Sequence, residues 1–240
     1  MLEWTEKRIK YLPWLMPVVG LGIGFLGYGL FLLLSKLGLS AFSKAVVMVL
    51  FFMAITGGLH LDGLMDTADA YFSRRSIEQK LQIMKDSRVG AFAVMTLVSL
   101  LLIKTALFYE LFSRNFRESI LLLLIPFLAR VFQAFVLCFF PYAKKDGLAV
   151  MFGQMKRKGL VSGLAVSLIL AIMLINFLAG VKGLLIKELL LLLCLTLFTV
   201  FYYFSAKKNF GGITGDIVGA YVEMAEVLAL GMLVIMIALD

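Results

Sequence analysis

Three aspartates, Asp62, Asp66 and Asp69, lie close together in the run Thr56-Gly57-Gly58-Leu59-His60-Leu61-Asp62-Gly63-Leu64-Met65-Asp66-Thr67-Ala68-Asp69. On a helix, Asp66 is rotated about 40° from Asp62 and Asp69 about 20° the other way, so the three carboxylates share one face. Like charges on one face repel, and something must neutralise them. A hard divalent cation does so: Mg²⁺ takes carboxylate oxygens together with substrate phosphates. The alternative, a solvated acidic helix end, fits less well with the apolar and small neighbours. Gly58 and Gly63, with Gly57, would let a substrate or a second helix approach the backbone closely. His60 is the single histidine and cannot build a His-rich zinc site. It is expected to orient an acid or touch substrate.

Further along comes Lys85-Asp86-Ser87-Arg88-Val89-Gly90. Asp86 is read as a fourth acid for the metal, and Arg88 as a cation at the mouth of the same site. Near the other end stands Gly211-Gly212-Ile213-Thr214-Gly215-Asp216, with Glu223 and Glu226 beyond it. A Gly-rich turn that opens a helix favours phosphate through free N–H groups and the helix dipole. A plain helix cap by Thr214 or Asp216 is the competing reading. Asp216 and Glu223, seven apart, share a helix face. Lys104 and Arg130 fall deep inside apolar runs, where cations face the interior and pair with acids or with substrate phosphate.

These residues need a membrane scaffold. The 240 residues are 62% hydrophobic and 16% charged, with a mean hydropathy of +1.01. A soluble domain is about 45–50% apolar and about 25% charged. Disorder is excluded by that hydrophobicity. A disulfide scaffold is excluded by there being only Cys138 and Cys194, both in apolar runs. About 20 apolar residues cross a bilayer as helix. Seven runs qualify: 12–35, 41–61, 90–112, 119–140, 160–181, 184–205 and 215–239. The expected fold is therefore all-α, one integral membrane helical bundle over residues 1–240. Ser76 with Gln79 fits a capping box, so a short helix should start there and run to about Asp86.

Charge orients the bundle. With seven spans, the N-terminus shares one side with Arg74, Arg75, Lys80, Lys85, Arg88, Lys144, Lys145, Lys156, Arg157, Lys158, Lys207 and Lys208. The other side carries only Lys36, Lys44, Arg114, Arg117, Lys182 and Lys187. This bias puts the N-terminus and the acidic segment in the cytoplasm. The net charge of +8 thus needs no nucleic acid; anionic lipid and phosphate-bearing substrates account for it. The loop 141–148 lies on the same side and could close over a ligand. Gly22-Ile23-Gly24-Phe25-Leu26-Gly27 matches a dinucleotide fingerprint but lies inside an apolar helix with no preceding strand. It reads as close helix packing, helped by Gly20 and Gly24 at four-residue spacing.

The run from Gly57 to Asp69, followed by Lys85-Asp86-Ser87-Arg88-Val89-Gly90, resembles the signature of cobalamin synthase, also called adenosylcobinamide-GDP ribazoletransferase. Arg130 with Phe140-Pro141-Tyr142-Ala143, the stretch Gly211 to Asp216, and Glu223-Met224-Ala225-Glu226 match the same family's pattern in order. The resemblance spans residues 57 to 226. It implies a polytopic membrane enzyme of the cytoplasmic (inner) membrane, dependent on Mg²⁺, with a site facing the cytoplasm and self-association as an open expectation. The enzyme would join adenosylcobinamide-GDP to α-ribazole or its 5′-phosphate, releasing GMP. One departure stands out: the family's Phe-Leu-Thr-Arg-like stretch before the first Gly-rich span has no clear copy after Met1, which leaves open both the completeness of the start and an N-terminal substrate contact.

On that reading Asp62, Asp66, Asp69 and Asp86 hold the metal, and Asp86 accepts the proton of the attacking ribazole 5′-hydroxyl, when that is the acceptor. Arg88, Lys104 and Arg130 neutralise phosphate oxygens. Gly58, His60, Gly63, Gly215, Asp216 and Glu223 contact substrate, Asp216 and Glu223 with a second metal as the other option. Two rivals remain. Enzymes that transfer an alcohol onto a CDP-activated lipid also cluster Asp on membrane helices, but an Ala-Arg after Asp62-Gly63 and a later Gly-x-x-x-Asp-x-x-x-Asp are missing. An ion-coupled transporter would show repeated halves, and none is visible.

Overall fold

The computed structural model describes residues 12–114, 117–143 and 184–239, with scattered positions between 161 and 176. The chain there is helical. α1 is Leu12–Lys36, α2 Ala41–Ile55, α3 Leu59–Phe72, α4 Ile77–Ile83 and α5 Ala91–Arg114. A 3₁₀ turn, Arg117–Leu123, leads into α6, Leu124–Phe139. α7 is Leu184–Phe210 and α8 is Gly215–Ala238. The only strand-like feature among the described residues is an isolated parallel bridge, Tyr142 to Ile213.

Five of these helical stretches are long and apolar enough to span a bilayer: Pro13–Lys36, Ala91–Arg114, Ser119–Phe139, Leu185–Phe210 and Gly215–Ala238. The expected second span, 41–61, is not one straight helix. It breaks between Ile55 and Leu59, and α3 leaves α2 at 90°. Gly57 (φ 60°) and Gly58 (φ 71°) make the break, in a backbone region that other residues enter at a cost. Counted as one bent span, the pair would be a sixth. The expected span at 160–181 lies largely outside the described residues, as do residues 1–11 and the loop from Lys144 to Lys158.

α6 and α8 form the centre. A helix apolar on every side belongs inside a bundle, and nearly all of α6 is buried, from Leu124 to Cys138. α1 packs on α6, α3 on α8, and both α2 and α3 on α5. Close approach of α1 to α6 needs glycine: a Cβ on Gly24 would meet the Leu123 carbonyl oxygen at 2.5 Å, and one on Gly20 the Pro126 oxygen at 2.5 Å. Gly22 faces open space, so the false fingerprint is a packing stripe. The outer helices α1, α5 and α7 expose Leu33, Leu102 and Phe201, the surface a bilayer covers.

Candidate active site

The bend at Gly57-Gly58 starts α3 against the first turn of α8. A Cβ on Gly63 would lie 2.7 Å from the Asp216 carbonyl oxygen and 2.9 Å from its Cα. Across the same contact a Cβ on Gly219 would lie 3.3 Å from the His60 backbone. Gly63 therefore seats a helix rather than a substrate. Its smallness brings Asp216 beside the acidic face of α3. The charges acting on the Asp66 carboxylate are Asp62, Asp216 and Asp69, all of one sign. Among the described residues, neither the Asp62 nor the Asp66 carboxylate has a hydrogen-bond or ion-pair partner.

Asp69 is engaged differently. Gly90 N–H donates to one of its oxygens at 2.6 Å and Ala93 N–H to the other at 2.8 Å. The carboxylate thus satisfies two amide donors at the start of α5, which would otherwise be orphaned. A Cβ on Gly90 would lie 2.5 Å from those oxygens. Asp86 is also engaged. Arg88 donates to it from Nη2 at 2.6 Å, from Nε at 3.0 and 3.1 Å and from the main-chain N–H at 3.1 Å. That Arg88 hydrogen bonding holds the Asp86 carboxyl at about 2, below its ordinary value. The expected capping box is present, Ser76 with Gln79 opening α4. Lys80 then pins α4 in place, buried over the rings of Tyr71 and Phe210.

Lys104 and Arg130 face the interior, and their partners are acids. Lys104 Nζ donates to Glu223 at 2.5 Å and to Glu226 at 3.1 Å; Arg130 Nη1 donates to the second oxygen of Glu226 at 2.7 Å. All four side chains are buried, and together they tie α5, α6 and α8. Glu223 is thus already paired with Lys104, although it shares α8 with Asp216. Sequence reading assigned Glu226 no role; its place three residues after Glu223, on the same helix face, is the signal that could have found it. Gln133, three residues after Arg130 and buried, was missed for the same reason.

Two cavities meet at Asp62. One, of about 310 Å³, is lined by Asp62, Asp66, Lys85, Asp86 and Arg88. The other, of about 540 Å³, is lined by His60, Asp62, Arg130, Gln133, Gly215 and Asp216, with apolar walls from Leu15, Met16 and Val19. Thr214 caps α8 by accepting the Ile217 N–H, and Asp216 already supplies negative charge in its first turn. A bare phosphate gains little from that helix end. Among the described residues no three His, Cys, Asp or Glu side chains form a ready metal cage. Mg²⁺ does not require one: it keeps several waters and takes one or two carboxylates with substrate phosphates. The donor set at Asp62, Asp66 and Asp216 fits it, being hard oxygens of one sign with two carboxylates unpartnered. Gly58 forms the bend, and Gly215 opens α8 with open space where a Cβ would stand.

Residues 1–234 match the cobalamin-5-phosphate synthase (CobS) family. The chain belongs to that family. Curated relatives agree along almost the whole length. A protein of Halalkalibacterium halodurans is 36% identical over 97% of this chain and 88% of its own. One from Brevibacillus brevis is 38% identical over 95% and 89%. One from Alkaliphilus oremlandii is 37% identical over 92% and 83%. Each of the three is named adenosylcobinamide-GDP ribazoletransferase. No solved structure matches. Family membership makes the chain a membrane-embedded transferase of cobalamin nucleotide-loop assembly, and it favours this reading over the CDP-alcohol enzyme and the transporter.

Proposed function

We propose that this enzyme transfers the cobinamide phosphoryl group of adenosylcobinamide-GDP to α-ribazole or its 5′-phosphate, with GMP leaving. The observation that carries the reading is the meeting of Asp62, Asp66 and Asp216 at one end of the bundle, where two cavities open on either side of Asp62. An acceptor hydroxyl attacks the phosphorus nearer the cobinamide, the bond from that phosphorus to the bridging oxygen breaks, and the hydroxyl proton passes to water or to the phosphate of the departing GMP. An acceptor already phosphorylated at the 5′ position has no hydroxyl there, so, against the expectation of 5′-hydroxyl attack, a secondary ribose hydroxyl attacks and the 5′ position is a bystander. Asp62, Asp66 and Asp216 would hold Mg²⁺, which when bound offsets the charge of the pyrophosphate and of the departing GMP.

The chain's own groups do the rest. Arg88, exposed at the mouth of the acidic pocket, can swing from Asp86 to a phosphate oxygen and offset its charge. Arg130 lines the other cavity, and among the described residues only its Nη1 is committed, to Glu226. His60 lines the same cavity near Arg130, Lys104 and Glu226 and is placed to contact substrate. Arg74, Arg75, Lys85, Lys207 and Lys208 surround this end of the bundle in sequence, which supports a site facing the cytoplasm from the cell membrane. The test uses purified, detergent-solubilised protein with adenosylcobinamide-GDP and α-ribazole, following GMP and corrinoid product. Product should require Mg²⁺, and Asp62→Asn should lower turnover by about 10²–10³. Full turnover in EDTA, or by Asp62→Asn, overturns the metal assignment.

A further inference from the structure

The cavity of about 540 Å³ between α1, α3, α6 and α8 has walls unlike those of the acidic pocket. Leu15, Met16 and Val19 make an apolar side. Gln133, only 7% exposed, lines the same cavity and makes no hydrogen bond to any described residue. A carboxamide offers two donors and an acceptor oxygen, and with no partner among the described residues they are left to whatever fills the cavity. Arg130, 3% exposed, stands one turn away on α6 with further N–H donors beyond the Nη1 bond. Asp62 and Asp216 belong to the same lining, and Asp62 is shared with the acidic pocket. The space thus has apolar walls together with an amide, a guanidinium and two of the carboxylates proposed to hold Mg²⁺.

We propose that this cavity seats the guanine nucleoside of the GDP arm, with Gln133 and Arg130 reading the base edge. The assignment rests on the proposed function and deepens it. Guanine presents acceptors at O6 and N7, which a guanidinium matches, and donors at N1 and N2, which a carboxamide oxygen accepts. Its faces suit the apolar walls, and the volume lies within the range of small-molecule sites. A corrin ring is far too large for it. The ribose and phosphates then lead from the base toward Asp62, where the pyrophosphate is to be split. Gln133 is a specificity-determining residue on this reading, and GMP leaves through the space its base occupied.

Equilibrium dialysis of labelled GMP, AMP and CMP against the full-length, solubilised protein with Mg²⁺ tests this. The wild type should hold GMP about tenfold more tightly than AMP or CMP, since a site built to hydrogen-bond one base leaves its groups unpaired with another. Gln133→Leu should shrink that preference to below about threefold while its affinity for CMP, which reports ribose and phosphate contacts, stays unchanged. Three results overturn the proposal: no base preference in the wild type, a preference that survives Gln133→Leu, or an equal loss for all three nucleotides. The last marks a merely structural Gln133. Should Gln133→Leu fail to fold, the wild-type comparison and the shorter Gln133→Asn decide. Turnover of adenosylcobinamide-GDP is measured alongside. Absent turnover removes the proposed function, whereas turnover without base preference removes only the cavity assignment.

Discussion

The Asp86 carboxylate accepts from the Nε, Nη2 and main-chain N–H of Arg88, so its charge is already satisfied before any ligand arrives. A carboxyl held at about 2 is a weak proton acceptor near neutrality. Its folded value lies below the unfolded one, so its contribution to stability is present above about pH 4 and is lost as pH falls through about 2. Asp86 therefore does not titrate where a cellular enzyme works. Asp86→Asn should leave the midpoint of the acidic limb of the pH–rate profile in place, even if it lowers the plateau by loosening Arg88. A limb that vanishes in that variant would restore Asp86 as the base. Types and spacing made the acids of the site legible, but not their engagement. Asp69 looked equivalent to Asp62 on the helix face; only the fold shows two α5 amides already donating to it.

At the scale of elements, local chemistry was legible and long-range geometry was not. Ser76 with Gln79, Thr214 and the Gly20–Gly24 stripe announce a capping box, a cap and a close helix contact, because each depends on neighbours within one turn or on the missing bulk of a side chain. The break between α2 and α3 escaped because Gly57-Gly58 could serve either as a point of close approach or as a turn through positive φ. The packing stripe gives a paired test. Gly24→Ala should drive a methyl group into the Leu123 backbone and cost about 1–3 kcal/mol. Gly22→Ala meets nothing within 4 Å and should be neutral or stabilise by up to about 1 kcal/mol. Thermal unfolding in detergent compares the two, and equal effects would mean that α1 does not pack through this stripe.

Across the whole molecule, Lys104, Arg130, Glu223 and Glu226 join α5, α6 and α8 at the centre. The sequence left the partners of the two cations open between acids and phosphate, since nothing local says which helices meet. Removing one member strands a buried charge. Lys104→Met should cost about 3–5 kcal/mol, and adding Glu223→Gln should recover part of it by removing the orphaned carboxylate. A double variant no more stable than Lys104→Met would mean that the pair is uncoupled. Written with full charges, the cluster holds two cations and two anions. A field across the bilayer does work only on net charge moved through it. Collapsing or restoring the transmembrane voltage therefore exerts no net force on this junction, and the opposed pulls on α5 and α6 against α8 are resisted by the ion pairs of 2.5–3.1 Å that join them. The transferase can sit in an energised membrane without its helices being levered apart, and its rate in sealed vesicles should be indifferent to an imposed potential.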